Sequence, residues 1–60
     1  MFYFEKYRDI SSQWRWTYYA SNGEPLSISS EAYVREADCD HAIDLMKRTV
    51  PGAVIRRRAA

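Results

Sequence analysis

The first half of the chain alternates between large apolar and polar positions, the pattern of β-strands with one buried face. In a strand from Phe2 to Arg8, the first side would carry Phe2, Phe4, Lys6 and Arg8, and the other side Tyr3, Glu5 and Tyr7. From Gln13 to Tyr19 the rings of Trp14, Trp16 and Tyr18 fall at every second position. A period of two residues is typical of strands, so the sequence predicts strands over both segments.

Short polar segments separate the alternating stretches and predict turns. Asp9–Ser12 is rich in Asp and Ser, whose side chains hydrogen-bond to turn backbone. Asn22-Gly23 offers two residues that tolerate positive φ, which predicts a two-residue type I′ hairpin turn. Glu24–Ser30 alternates again and predicts a third strand, with Pro25 at its start or on an unpaired edge.

The second half of the chain changes to a helical period. Apolar residues between Arg35 and Val50 follow the 3-and-4 spacing of one helix face, and Pro51-Gly52 ends the segment. The helix-face residues are Cys39, Ala42, Ile43, Met46 and Val50. Ala53–Arg57 contains adjacent β-branched residues and predicts a short fourth strand.

The predicted order βββαβ indicates one α+β domain spanning residues 1–60, an antiparallel sheet with one helix packed on one face. The strand residues expected to face this helix and form the core are Phe4, Trp14, Trp16, Tyr18, Leu26 and Ile28. Cys39 is expected to be a small buried residue of the helix.

A chain of 60 residues has little material for a core. A domain of this size buries only about 60% of its unfolded surface, so its stability is marginal. Cys39 is the single cysteine and His41 the single histidine, which excludes a disulfide within the chain and a tetrahedral Cys/His metal site. Oligomerisation is the remaining way to enlarge the core, so the composition predicts a homodimer without metal or cofactor.

The charge balance gives no global attraction to a polyanion. Nine basic and eight acidic residues leave a net charge of +1, so nucleic acid or an anionic membrane would have to be bound by a local patch. The start of the chain lacks a signal-peptide pattern, and no apolar stretch approaches the ~20 residues of a transmembrane helix. We therefore expect a cytoplasmic protein without membrane association.

Several short motifs in order and spacing resemble the YegP-like family, small bacterial and archaeal proteins that form a domain of unknown function. The motifs are Phe4-Glu5, Trp14-Arg15-Trp16, Ala20-Ser21-Asn22-Gly23-Glu24, Ser30-Glu31-Ala32-Tyr33, Cys39, Ile43, Lys47-Arg48 and Pro51-Gly52-Ala53. The resemblance covers nearly the whole chain.

The resemblance implies β3-α-β units, present as tandem repeats or as two subunits, that build one continuous sheet with exchanged C-terminal strands. A single unit would then dimerise, and Val54-Ile55-Arg56 would pair with the sheet of the other subunit. The family carries no established catalytic residues, cofactor or ligand.

Two groups of residues are candidates for binding. Tyr3, Tyr7, Arg15 and Tyr19 fall on the face turned away from the predicted helix, where rings and a guanidinium suit a polar ligand or single-stranded nucleic acid. The alternative is an amphipathic sheet stabilised by cross-strand aromatic pairs.

The C-terminal arginines form the second group. Arg56, Arg57 and Arg58 are candidate phosphate contacts. The alternative role for such a run is to discourage further strand addition at a sheet edge.

Catalysis has no support in the sequence. Cys39 and His41 lie two apart on the predicted helix and point in different directions, so they cannot act as nucleophile and base. We therefore expect a non-catalytic binding or interaction module whose partners are itself and either another protein or, as the alternative, weakly bound nucleic acid.

Overall fold

A computed structural model describes residues 1–59 and contains a three-stranded antiparallel sheet and one helix. The elements are β1 (Tyr3–Arg8), β2 (Trp14–Tyr19), β3 (Pro25–Ile28), α1 (Glu36–Thr49) and a 3₁₀ turn (Val50–Gly52). The strands lie in the order β1-β2-β3. The predicted α+β class with a helix on one sheet face is confirmed.

The β1–β2 connection is built around one aspartate. The backbone N–H of Asp9 donates to the carbonyl of Gln13 at 2.8 Å. The Asp9 carboxylate accepts the backbone N–H groups of Ser11 at 2.9 Å and Gln13 at 3.0 Å. Ser12 has a φ of 60°, a left-handed conformation that the short loop requires. This local bonding places the two strands in register along their whole length.

The β2–β3 turn differs from the predicted type I′ turn. The N–H of Gly23 donates to the carbonyl of Ala20, and the N–H of Ala20 donates to the carbonyl of Glu24, both at 2.9 Å. Gly23 has a φ of 87°, whereas Asn22 does not have a positive φ. The loop therefore contains three residues and places only its glycine in the left-handed region, an arrangement common in hairpins. Asn22 contributes through its side chain, which accepts the N–H of Glu24 at 3.1 Å.

A bulge in β3 changes the predicted faces. The pairs across β2 and β3 are Thr17 with Ile28, Tyr18 with Ser27 and Tyr19 with Pro25. Leu26 is thus an extra residue, and a bulge of this kind reverses the alternation of side chains. Leu26 lies on the helix side of the sheet, but Ile28 shares the face of Thr17. The prediction that Ile28 belongs to the core is wrong, and Ile28 is largely exposed.

Helix α1 lies within one residue of the predicted bounds. Its N-cap is Arg35, which makes no side-chain cap hydrogen bond. Acidic residues occupy the first turn and basic residues the last, as the helix dipole favours. Arg48 donates to Asp44 at 2.9 Å one turn earlier. Pro51 lies in the 3₁₀ turn that follows, where the helix ends as predicted.

The core of the single chain is small. Trp16 is 5% exposed and Cys39 is 0% exposed, and the Phe4 ring meets Trp16 edge-on at 5.3 Å between centroids. Trp14 and Tyr18, also predicted for the core, are half-buried. The prediction of a buried Cys39 is confirmed. Because α1 packs mainly against β2, the outer strands are less well covered.

The chain after the 3₁₀ turn does not form the predicted fourth strand. Residues 53–59 have no regular secondary structure, although Ala53 has extended dihedral angles. Ile55 is 100% exposed. The physical reason is that this segment leaves the end of the helix without meeting a sheet edge of its own chain. Its pairing with a second subunit stays a prediction.

No helix within residues 1–59 combines the length and apolar character needed to cross a membrane.

Candidate functional site

The sheet has one face that the helix leaves uncovered, here called the open face. Its residues follow from the strand pairing and are Tyr3, Glu5, Tyr7, Arg15, Thr17, Tyr19 and Ile28. All four sheet residues predicted as a binding face therefore lie on one side of the sheet. Whether this face binds a ligand stays a prediction.

The tyrosines of the open face are held by cross-strand pairing. Tyr3 pairs with Tyr19, and their rings stack at 5.0 Å between centroids with an interplanar angle of 22°. Tyr7 pairs with Arg15 four residues further along β1. Aromatic pairs of this geometry stabilise a sheet by about 0.5–1.5 kcal/mol beyond the area they bury. The stacking therefore supports the structural alternative for these residues as well as the binding hypothesis.

Arg15 is already engaged by an acid of its own chain. Its Nε donates to the Asp9 carboxylate at 2.7 Å. This hydrogen bond, together with the backbone N–H groups of Gln13 and Ser11, lowers the pKa of Asp9 below its ordinary value. The charge of Arg15 is therefore largely offset, which weakens its case as a phosphate contact.

Glu5 and Thr17 form the middle row of the open face. They pair with each other across β1 and β2. Thr17 is only 7% exposed. Glu5 is exposed and makes no hydrogen bond or ion pair within residues 1–59. Glu5 was not among the predicted binding residues. The strand alternation that places Tyr3 and Tyr7 on this face also places Glu5 there.

On the helix side an open groove of about 880 Å³ runs between the sheet and the second half of α1. Its apolar lining comes from Phe2, Phe4, Tyr18, Leu26, Ile43, Met46, Val50 and Pro51, and its polar lining includes Lys6, Ser27, Asp40 and Lys47. Phe2 is 57% exposed, and Leu26 and Val50 are exposed to a similar degree. We call this feature the helix-side groove.

Lys6 crosses from the sheet to the helix beside this groove. Its Nζ donates to Glu36 at 2.8 Å and to Asp40 at 2.6 Å. The hydrogen bonds that Lys6 donates to the two carboxylates, the one to Asp40 first, raise the pKa of Lys6. The ammonium also lies 5.9 Å from the centre of the Trp14 ring. Lys6 therefore ties β1 to the first half of α1 at one end of the groove.

The C-terminal candidates lie apart from both surfaces. Arg56, Arg57 and Arg58 are exposed, and none forms an ion pair within the part of the chain described. The structure does not bring them together with Arg15 or the tyrosines.

The reactive residues give no catalytic arrangement. Cys39 is fully buried, and burial raises the pKa of its thiol. His41 lies on the exposed side of the helix. No group of three or more His, Cys, Asp or Glu side chains in residues 1–59 could hold a metal ion.

Comparison with known proteins agrees with this architecture. Residues 9–56 match the family model described as a domain of unknown function, DUF1508. A UPF0339 protein of Neisseria meningitidis serogroup B, NMB1088, is 35% identical over 54 residues, which are 90% of this chain and 95% of the relative. The UPF0339 protein Atu0232 of Agrobacterium fabrum is 43% identical over 53 residues, covering 88% of this chain and 84% of the relative.

A solved structure shares the fold. The solution structure of a protein from Haloferax volcanii, determined by NMR, matches with a TM-score of 0.85 and 28% sequence identity. The match covers 95% of each chain.

Proposed function

Because this chain belongs to the DUF1508 family with its UPF0339 relatives, the YegP-like family, we propose that it is a homodimeric, non-catalytic interaction module. In the dimer the C-terminal segment of each chain pairs with the sheet of the other. The single observation that carries the proposal is the open helix-side groove beside an outer strand, together with a C-terminal segment that packs on nothing in its own chain.

The apolar surface of the groove supports a second copy as its occupant. Val54 is largely exposed, and Ile55 is 100% exposed. Burying a side chain of this kind contributes about 1.5–3 kcal/mol, and a two-fold dimer buries each residue twice. Mutual exchange therefore covers the groove and the apolar part of the C-terminal segment in the same step.

The sheet offers one suitable edge for this exchange. The outer strands are β1 and β3. Strand β3 has four residues, begins with Pro25, which lacks an N–H, and contains the bulge at Leu26. Strand β1 has six residues without proline, and Phe4 and Lys6 on it line the groove. We therefore assign β1 as the strand that accepts the partner's segment.

The experiment compares two identical substitutions at exposed isoleucines. Ile55→Asp places a charge in the proposed interface, whereas Ile10→Asp places one in the exposed β1–β2 loop. Sedimentation equilibrium of the unaltered protein should give the mass of two 7.1-kDa chains. Ile55→Asp should weaken dimerisation by about a hundredfold or more, because burial is lost twice, and Ile10→Asp should not.

A monomer mass at high micromolar concentration would remove the proposal. Equal weakening by Ile10→Asp would show that the association does not use the C-terminal segment. Circular dichroism of each variant establishes that its fold is intact before the masses are compared.

We also propose weak nucleic-acid binding as a second candidate, because Arg56, Arg57 and Arg58 are exposed without ion pairs in the described residues. Fluorescence anisotropy with a labelled single-stranded oligonucleotide tests it at low and physiological salt. Binding that falls steeply with salt and is lost when the three arginines become glutamine supports this candidate. Absence of binding at low salt removes it.

A further inference from the structure

The exchanged segment has two faces, and only one of them suits the helix-side groove. Along an extended strand Ala53, Ile55 and Arg57 lie on one side, whereas Val54, Arg56 and Arg58 lie on the other. The first set contains one arginine and the larger apolar side chain. With Ile55 in the groove, Arg56 is therefore placed on the open face of the partner's sheet.

A matching acid stands on the open face of β1. Glu5 is exposed and has no ion-pair or hydrogen-bond partner within residues 1–59. Tyr3 and Tyr7 flank it two positions away on the same face of the strand. Arg15, the nearest cation of the open face, is held by Asp9 at 2.7 Å. Glu5 is thus an unpaired acid between two aromatic rings at the edge of the sheet.

We propose that Glu5, with Tyr3 and Tyr7 on either side, binds the guanidinium of Arg56 from a second copy of this chain. A carboxylate and an arginine on adjacent strands are within reach of each other, and a guanidinium over a tyrosine ring gains a cation–π contact. The inference rests on the proposed dimer. The Glu5–Arg56 pair would determine which face of the exchanged segment lies on the open face of the partner's sheet.

Charge exchange between the two positions tests this pair. Glu5→Arg and Arg56→Glu each place like charges side by side, and two-fold symmetry repeats the effect, so each variant should weaken dimerisation by about tenfold or more. The double variant should restore the dimer dissociation constant to within about threefold. Sedimentation equilibrium measures all three variants, at low salt and at 1 M NaCl, where the differences should shrink.

The neighbouring arginine supplies the matched control. Arg57 carries the same chemistry but lies on the other face of the segment, so Arg57→Glu should not be rescued by Glu5→Arg. Rescue of Arg56→Glu and Arg57→Glu to the same extent would overturn the pairing, as would single variants that dimerise like the unaltered protein.

These outcomes are separate from failure of the dimer itself. If Ile55→Asp dissociates the dimer but the charge variants do not, exchange is correct and the Glu5–Arg56 pair is wrong. If the unaltered protein is a monomer, both are wrong.

Discussion

The two sides of the sheet are formed by the same three strands, but their side chains are covered to different extents. On the open face Tyr3 stacks on Tyr19 across the strands. Arg15 of the same face pairs with Asp9 of the β1–β2 loop. On the helix side Trp16 and Cys39 are buried, yet the neighbouring groove remains open. One helix packed mainly on β2 cannot cover three strands. The helix side therefore keeps the larger exposed apolar surface, although no element of the chain covers the open face.

The largest expected effect is the difference in lost stability between removing a buried ring and removing a ring of the open face. Trp16→Ala should lower the free energy of unfolding by about 3–5 kcal/mol, because a large buried side chain leaves a cavity. Tyr7→Ala on the open face should cost about 1 kcal/mol or less. Urea unfolding at one fixed protein concentration measures both. Similar losses for the two variants would contradict the contrast between the two sides.

A smaller loss of stability is expected on removing a hydrogen bond between Trp16 of β2 and the residue that follows β3. Buried Ser29 accepts the backbone N–H of Trp16 at 3.2 Å through its Oγ. Ser29→Ala leaves that N–H without this partner, which should cost about 1–3 kcal/mol. Ser27→Ala is the matched control, because Ser27 is an exposed serine two residues before Ser29. Equal unfolding midpoints for the two variants would show that the hydrogen bond contributes nothing.

The smallest effect should appear on the open-face side and depend on pH. The hydrogen bond from Arg15 lowers the pKa of Asp9 below its ordinary value of 3.8. The ion pair therefore stabilises the fold above that value, and this contribution is lost as the pH falls through the lowered pKa. Asp9→Asn should be less stable than the unaltered protein at neutral pH, and the difference should shrink in acid.

Urea unfolding at neutral pH and at about pH 2.5 measures this change. Arg15→Met should lose only part of the pH dependence, because the backbone N–H groups of Gln13 and Ser11 still bind the Asp9 carboxylate. A difference between Asp9→Asn and the unaltered protein that grows in acid would contradict the assignment.

Much of the fold could be predicted because local patterns agree with it. The alternation around Trp16 and the helical spacing through Cys39 both lead to the observed elements, and Pro51 marks the helix end. The turn at Gly23 was predicted with one residue too few. Asn22-Gly23 favours two loop types, and the backbone bonds of Ala20 select the longer one.

The site could be predicted only as far as strand alternation holds. Tyr3 and Tyr19 share a face, as the alternation predicts, because the β1–β2 pairing contains no bulge. The extra residue Leu26 reversed the expected face of Ile28. Pro25 beside it is compatible with a strand start, an edge or a bulge, so the alternation alone could not place the bulge. The Asp9–Arg15 pair joins residues six apart across a loop, so its effect on the charge of the open face required the three-dimensional arrangement.

An isotope-filtered NOE experiment on mixed labelled and unlabelled chains detects contacts between two chains and so tests the exchange of C-terminal segments. Strand exchange should give intermolecular NOEs from the Ile55 methyl groups to Phe4 and Tyr18, which line the helix-side groove. A dimer-sized protein without such intermolecular NOEs, or a monomer at the concentrations used, would contradict it.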